Sequence, residues 1–359
     1  MKAIVNTSLL GKELKIISQI IGSNHIIPIL SCIKLSFEKT KLTLFATDLE
    51  TTLISTIQCD AKSPFTLIVD FNSLSDICNK LSEPITIEGK EKEILITGEG
   101  SKFKLPMGGG ESEFPNIPDE SFQFTVDVDV DFFSTLYRAD SCKGKNDLMV
   151  TYNTACLDFK KDKLVVVGTD AFCMYKKDLK IKSGQISQSL VRDKFVNVVK
   201  SFDNGKLSIG EKFVKIEHKN ITIITRVQDN KFCAYDTIIP TEVKYNVMAD
   251  RTALISAISK ALVGSTKSTN MCALNFKEGR ISIVSQDVDF GKEGQADVLV
   301  NHTVDIDAIG VNGKQLLGLL NLLDSEEVEM CVTAPNKSIY LKQSDDDSVF
   351  CLLQPLMLS

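Results

Sequence analysis

The chain has 359 residues, 43% of them hydrophobic and 25% charged, with a formal net charge of −6. That is an ordinary globular composition, too long for one comfortable core and of a length that suits three domains. The acidic balance argues against a protein that coats nucleic acid over its whole surface, and no apolar run approaches the length of about 18 residues that a membrane helix needs.

The opening stretch, MKAIVNTSLLGKELK, has neither the apolar centre nor the cleavage site of a signal peptide, so a cytoplasmic location is expected. Leu10, Leu14, Ile17 and Ile21 share one face of a helix predicted over Ser8 to Gly22, with Lys12, Lys15 and Gln19 on the other face and Ser8 as N-cap. Strands follow around Cys32 to Phe37 and in KLTLFATDLETTL (Lys41 to Leu53), then a helix over Phe71 to Leu81 and the strands ITIEG, EILITGE and SKFKLP. The Gly- and Pro-rich segment MGGGESEFPNIPDE (Met107 to Glu120) reads as a linker.

The same order recurs from about Phe124: a helix over Asp131 to Lys145, the strand KLVVVGTDAFCMY, a helix over Arg192 to Phe202, and three closing strands. It recurs again from Tyr245, with helices over Asp250 to Gly264 and Asn312 to Leu323 either side of RISIVSQDVDF. The marker strands share Asp48, Asp170 and Asp287, which lie 122 and 117 residues apart. That period is too long for a solenoid and matches one ordinary domain. The expectation is an α+β protein of three tandem domains, residues 1–122, 123–243 and 244–359, each with two helices packed on antiparallel sheets.

Catalytic constellations are poor. His25, His218 and His302 lie in different units without metal-ligand spacing and read as surface or loop residues. Gly108-Gly109-Gly110 lacks the Gly-Lys-Ser/Thr ending of a phosphate loop. One aspartate per repeat at a strand end reads as a turn or backbone cap rather than an acid or ligand, and the run Ser344 to Ser348 as a solvated turn. The ten cysteines are scattered without a C-x-x-C pair and read as buried thiols. No catalytic residue, metal or cofactor is expected, and a metal-dependent hydrolase built on the repeated aspartates is the weakest alternative.

Charge placement is more informative. The six predicted helices carry a net +6, which leaves −12 on the remainder of a chain of −6. Locally basic helices on an acidic protein would attract phosphates on one surface and repel them elsewhere. The candidate phosphate contacts are Lys12, Lys15, Lys80, Arg138, Lys143 and Lys145, together with Arg192, Lys194, Lys200, Lys260 and Lys314.

IIPILSCIKLSF followed by KLTLFATDLETTL, the passage SKFKLPMGGGESEFPNIP and the terminal VFCLLQPLMLS resemble the bacterial sliding clamp family, the beta subunit of DNA polymerase III. The resemblance spans the whole chain. It implies three DNA-clamp (processivity-fold) domains, a head-to-tail homodimer forming a ring with helices lining the hole, and a sequence-independent hold on double-stranded DNA. It also implies a pocket for short peptide motifs of the replicative polymerase and clamp loader. By position that pocket comprises Tyr152, Thr169, Ala171, Phe172, Met174 and Ile238, with Asn312, Gln315 and Ser338, and the tail residues Leu352, Gln354, Pro355, Leu356 and Met357. Thr169-Asp170-Ala171-Phe172-Cys173 stands where the family usually has Thr-Asp-Gly-His-Arg, and Gln354 and Met357 stand where methionine and arginine are common. Asn24 replaces an arginine expected at DNA. Ile77, Phe103 and Leu105 match subunit-contact positions, with Leu262 as their counterpart in the third domain. A peptide-binding scaffold that no longer encircles DNA is the other alternative.

Overall fold

The computed structural model describes residues 1–21, 27–82, 84–144, 149–239, 242–301 and 306–358. Among these the chain forms six α-helices: α1 (Thr7–Ile17), α2 (Phe71–Cys78), α3 (Val130–Ser141), α4 (Asp193–Val199), α5 (Arg251–Ala261) and α6 (Gly313–Leu320). No described helix is long and apolar enough to cross a membrane. All six fall inside the predicted helical stretches or within a residue of them, and all are shorter. The N-cap of α1 is Asn6 rather than Ser8: its side chain accepts from Leu9 N at 3.0 Å, and Thr7 is already buried as the first helical residue. Helix α5 stops at Ala261 and tightens into a 3-10 turn, Leu262–Gly264, where a Cβ on Gly264 would lie 2.1 Å from the backbone of Gly294.

The chain is arranged in two compact units, one of Met1–Phe133 with Val191–Asp229 and one of Ser134–Leu190 with Asn230–Ser359. The reason that three sequence repeats give two units lies in the strand pairing. In the first unit, Thr51–Ala61 pairs along its early half with Ile221–Arg226, a strand of the second repeat, in the register Thr51↔Thr225 to Ser55↔Ile221. Its later half pairs with Lys2–Val5. One antiparallel twelve-stranded sheet results, with Ser101–Pro106 at one end and Phe124–Asp129 at the other. Leu10, Leu14 and Ile17 of α1 and Leu74 and Ile77 of α2 are buried. Phe114, inside the predicted linker, is also buried, edge-on to Phe45 at 5.3 Å and clustered with Cys32 and Ile68. That linker is therefore partly packed rather than solvated throughout.

In the second unit Cys173–Leu179 pairs with Val349–Leu353, Met174 opposite Leu352, and this joint again unites strands of successive repeats in one twelve-stranded sheet. Its core includes Cys156, Val167, Met174, Tyr235, Tyr340 and Leu352. All ten cysteines are reduced, and eight are buried. Desolvation pushes the Cys78 thiol up to about 12 and those of Cys272 and Cys331 to about 11, which leaves them inert. His218 corrects the surface reading: it ends the strand Phe213–His218, is 7% exposed, stacks on Phe202 at 4.3 Å and brings Nδ1 to within 2.6 Å of Asn204 O. His25 and His302 lie outside the described residues.

Candidate functional site

The marker aspartates build turns. Asp48 Oδ1 accepts from Glu50 N and Thr51 N at 3.0 and 2.7 Å, and Asp170 Oδ1 from Phe172 N and Cys173 N at 2.8 and 2.7 Å. The residue after each takes a left-handed conformation, Leu49 at φ 77° and Ala171 at φ 76°, which a non-glycine residue tolerates only under such over-determination. Thr169 Oγ1 adds two bonds, donating to Cys173 O at 2.6 Å and accepting from Ala171 N at 3.1 Å. This rigid turn thrusts Phe172 outward, 59% exposed. The third repeat departs: Asp287 stays in the strand ladder opposite Lys292, is 6% exposed, and has an Oδ1 with no hydrogen-bond partner.

Beside the Phe172 turn runs the tail. Pro355 cannot donate to a ladder and ends the strand Val349–Leu353. The chain nevertheless stays ordered, because Gln354 N donates to Phe172 O at 2.8 Å and Leu356 N to Gly310 O at 2.7 Å. Ser338 Oγ donates to Gln354 Oε1 at 3.1 Å and Gln315 Nε2 to Asp170 Oδ2 at 3.1 Å, while Asn312 caps α6. Next to the tail opens a cavity of about 540 Å3, bounded by Thr237, Ile238, Ile239, Glu242, the Thr333 to Ser338 segment, Tyr340 and Gln354. Its size suits one or two peptide side chains.

Of the pocket residues expected from sequence, Ile238, Ser338 and Gln354 line this cavity. Pro355, Leu356 and Met357 form the tail itself, with Met357 89% exposed; Phe172 is bonded to it through Gln354 N, Ala171 belongs to the same turn, Gln315 is bonded to Asp170 of that turn, and Asn312 caps α6. Met174 and Leu352 are core residues beneath, 0% and 2% exposed, and Thr169 is likewise buried in its turn. Tyr152 sits half-buried in the 3-10 turn Val150–Asn153, outside the cavity lining. Thr237, Ile239, Glu242, Thr333, Asn336, Lys337 and Tyr340 escaped the sequence reading. The signal available was the apolar pair Ile238-Ile239 in an otherwise polar connecting stretch. What holds that stretch is Tyr235, whose hydroxyl donates to the buried Asp158 at 2.5 Å, with Lys160 at 2.8 Å on the same carboxylate. Burial, reinforced by Asp158, pushes the Tyr235 phenol far above its ordinary range.

The candidate phosphate contacts divide into two sets. Lys12, Lys15, Lys80, Lys200, Lys260 and Lys314 are exposed on or beside helices. Arg138 is fastened to Asp324 at 2.7 Å and Leu322 O at 2.8 Å, Lys143 to Asp140 at 2.8 Å, Lys194 to Asp48, and Arg192 lies 3.8 Å from Glu50. Part of the charge counted on the helices is thus already neutralised. Asn24 and Lys145 lie outside the described residues. Among the described residues no group of three or more His, Cys, Asp or Glu side chains could hold a metal ion.

Phe103 and Leu105 lie half-buried on Ser101–Pro106, which among the described residues pairs only with Glu93–Gly98 and so ends its sheet. Ile77 is 6% exposed and serves the core. Leu262 is half-buried, and the apolar residue offered to solvent beside it is Val263, 80% exposed, accompanied by Val288 and Phe290.

Residues 1–118 match the family description "DNA polymerase III beta subunit, N-terminal domain" and residues 236–357 its C-terminal domain, about two thirds of the chain between them. The chain is 24% identical to the beta sliding clamp of Haemophilus influenzae and 23% identical to that of Pseudomonas aeruginosa, in each case over 97% of both chains. Its structure is similar to the crystal structure of the DNA polymerase sliding clamp from Pseudomonas aeruginosa, with TM-score 0.94, 22% identity and complete coverage of both chains. The beta subunit from Thermotoga maritima is similar at TM-score 0.90 and 20% identity, again over both whole chains.

Proposed function

The chain belongs to the DNA polymerase III beta subunit family, the bacterial sliding clamps, and from that premise we propose that two copies close head to tail around duplex DNA as a non-enzymatic processivity factor. Each copy contributes three clamp domains, residues 1–122, 123–243 and 244–359. The topology does the work: a closed ring cannot leave DNA sideways, so its hold on any phosphate stays weak and sliding stays fast. The observation that carries this reading is the placement of charge. The exposed lysines Lys12, Lys15, Lys80, Lys200, Lys260 and Lys314 all stand on or beside helices of a chain whose net charge is −6, which gives attraction without sequence readout.

The cleft beside Phe172 and Ile238 is the seat for short motifs of the replicative polymerase and clamp loader in the cytoplasm. Ile238 offers exposed apolar surface in it, and Phe172 and Met357 offer more on the adjoining turn and tail; one or two buried anchors are worth on the order of 2 kcal/mol each. Light scattering of the protein with nicked circular DNA, before and after linearisation, tests the ring. A complex that persists on the circle in moderate salt and is lost on linearisation is expected. Equal retention on both would refute encirclement, and peptide binding without retention on the circle would favour a scaffold.

A further inference from the structure

Tyr235 and Tyr340 share the core beneath the cavity, but only one of them has a partner for its hydroxyl. Tyr235 donates to Asp158 at 2.5 Å. Tyr340 sits in the strand Ile339–Gln343, opposite Cys331 on one side and Leu352 on the other, with its ring tilted against Phe350 at a centroid distance of 5.5 Å. It is 1% exposed, it bounds the cavity, and its hydroxyl oxygen has no hydrogen-bond partner among the described residues. Phenylalanine would serve the packing equally well, since a buried tyrosine ordinarily finds a bond for its hydroxyl. A hydroxyl kept from water without a bond is costly, and a ligand that reaches it relieves that cost.

The groups around the cavity fix what such a ligand must offer. Thr333 Oγ1 gives its proton to Glu242 O at 3.1 Å, so its remaining capacity is to accept. Ser338 Oγ likewise donates to Gln354 Oε1 at 3.1 Å and keeps its own acceptor capacity. Thr333 stands beside Tyr340 and opposes the rise that burial imposes on the phenol, yet the two hydroxyls are not hydrogen-bonded to each other. The cavity therefore holds an unused donor at Tyr340 and unused acceptors at Thr333 and Ser338. A hydroxyl answers both roles with one atom. A carboxylate would accept from Tyr340 but cannot donate to Thr333 or Ser338, and hydrocarbon can do neither. A carboxamide carries both roles on a thinner and more flexible stem, whereas the walls at Ile238, Ile239 and the Tyr340 ring suit a broad, rigid apolar one.

We propose that Tyr340, with Thr333, makes this cavity selective for a peptide whose buried anchor is tyrosine rather than leucine or phenylalanine. This rests on the peptide-site reading above and adds the chemistry of the anchor. The anchor hydroxyl accepts from Tyr340 and donates to Thr333 Oγ1, so the three hydroxyls form one chain that ends at Glu242 O. Every member of the chain then has a defined direction. The cavity, about 540 Å3, has room for the ring and its hydroxyl. A phenylalanine would fill the same walls and shut the Tyr340 hydroxyl away unpaired.

The test is a fluorescence-polarisation titration with three labelled peptides from the tail of the replicative polymerase, identical except at one aromatic anchor, which is tyrosine, phenylalanine or O-methyltyrosine. The parent protein should bind the tyrosine form about tenfold more tightly than the phenylalanine form. O-methyltyrosine keeps the ring but cannot donate to Thr333, and it should lose that advantage. In Tyr340→Phe the preference for tyrosine over phenylalanine should vanish. Thr333→Val leaves Tyr340 in place and should narrow the same ratio; because a ratio is read, a change that merely loosens the wall weakens all three peptides alike and drops out. A parent protein that binds the tyrosine and phenylalanine forms equally, or a preference that survives in Tyr340→Phe, overturns the anchor assignment and leaves the peptide site standing. Failure of all three peptides to bind the parent protein overturns the peptide site as well.

Discussion

Gly310→Ala isolates the contribution of the tail. Gly310 is buried, and its φ is not left-handed, so alanine suits the local backbone and would by itself gain several tenths of a kcal/mol, about 0.5–1. What it meets is the tail: a Cβ there would lie 2.4 Å from Leu356 O and 2.9 Å from Leu358 Cδ2. The Leu358 methyl can swing aside, but the backbone oxygen cannot rotate away, so the tail must lift. Lifting it breaks the bond from Leu356 N to Gly310 O, about 1 kcal/mol. It also exposes the covered part of Leu358, which is 41% exposed as it stands, for about 1 kcal/mol more. The tail-docking equilibrium should therefore fall by roughly 2 kcal/mol, close to thirtyfold, while global stability barely changes. Amide hydrogen exchange at Leu356 should accelerate correspondingly, and a polymerase-tail peptide should lose affinity in a fluorescence-polarisation titration. Unchanged exchange and unchanged affinity would refute the claim that this tail contact shapes the peptide site.

Deleting residues 355–359 should abolish peptide binding yet leave ring size and DNA encirclement intact by light scattering; full affinity in the truncated protein would count against the tail. Lys12→Glu with Lys15→Glu should weaken DNA retention equally on all sequences and flatten the salt dependence, since each phosphate contact carries a slope of about 0.9; an unaltered slope would place the duplex elsewhere. Asp178 concerns stability: burial alone would raise its carboxyl, but bonds from Lys163 at 2.5 Å and Lys176 at 2.7 Å outweigh burial and hold it below its ordinary value. A depressed carboxylate contributes fully above the unfolded value of about 4 and loses that contribution as pH falls through the folded value. Asp178→Asn should thus cost about 1–3 kcal/mol in urea denaturation at pH 7, with the difference from the parent shrinking below pH of about 4. Tyr235→Phe should cost about 1–2 kcal/mol and loosen the connecting stretch that carries Ile238, read as weaker peptide binding.

The sequence by itself determined what depends on local periodicity and on repetition. Apolar spacing at Leu10, Leu14 and Ile17 marked a helix because only one face of it meets the sheet, and the recurrence of Thr-Asp at the end of the first two marker strands marked a turn that the aspartate Oδ1 builds from backbone donors two and three residues on. Much of the candidate site was visible only through resemblance, and even then the geometry moved it: Met174 and Leu352 are spaced like neighbours of a cleft but belong to the core under it. The tertiary structure alone decided what depends on residues distant in the chain. Phe114 sits in a stretch with linker composition, and only the packing of Phe45 and Ile68 against it makes it core. Helix charge could be counted, but whether Arg138 serves DNA or Asp324 depends on a partner 186 residues away. Asp48, Asp170 and Asp287 look alike in sequence. Two find donors across a joint within the chain and one does not, because burial and hydrogen bonding across a joint depend on which strand edges meet, and no local pattern encodes that.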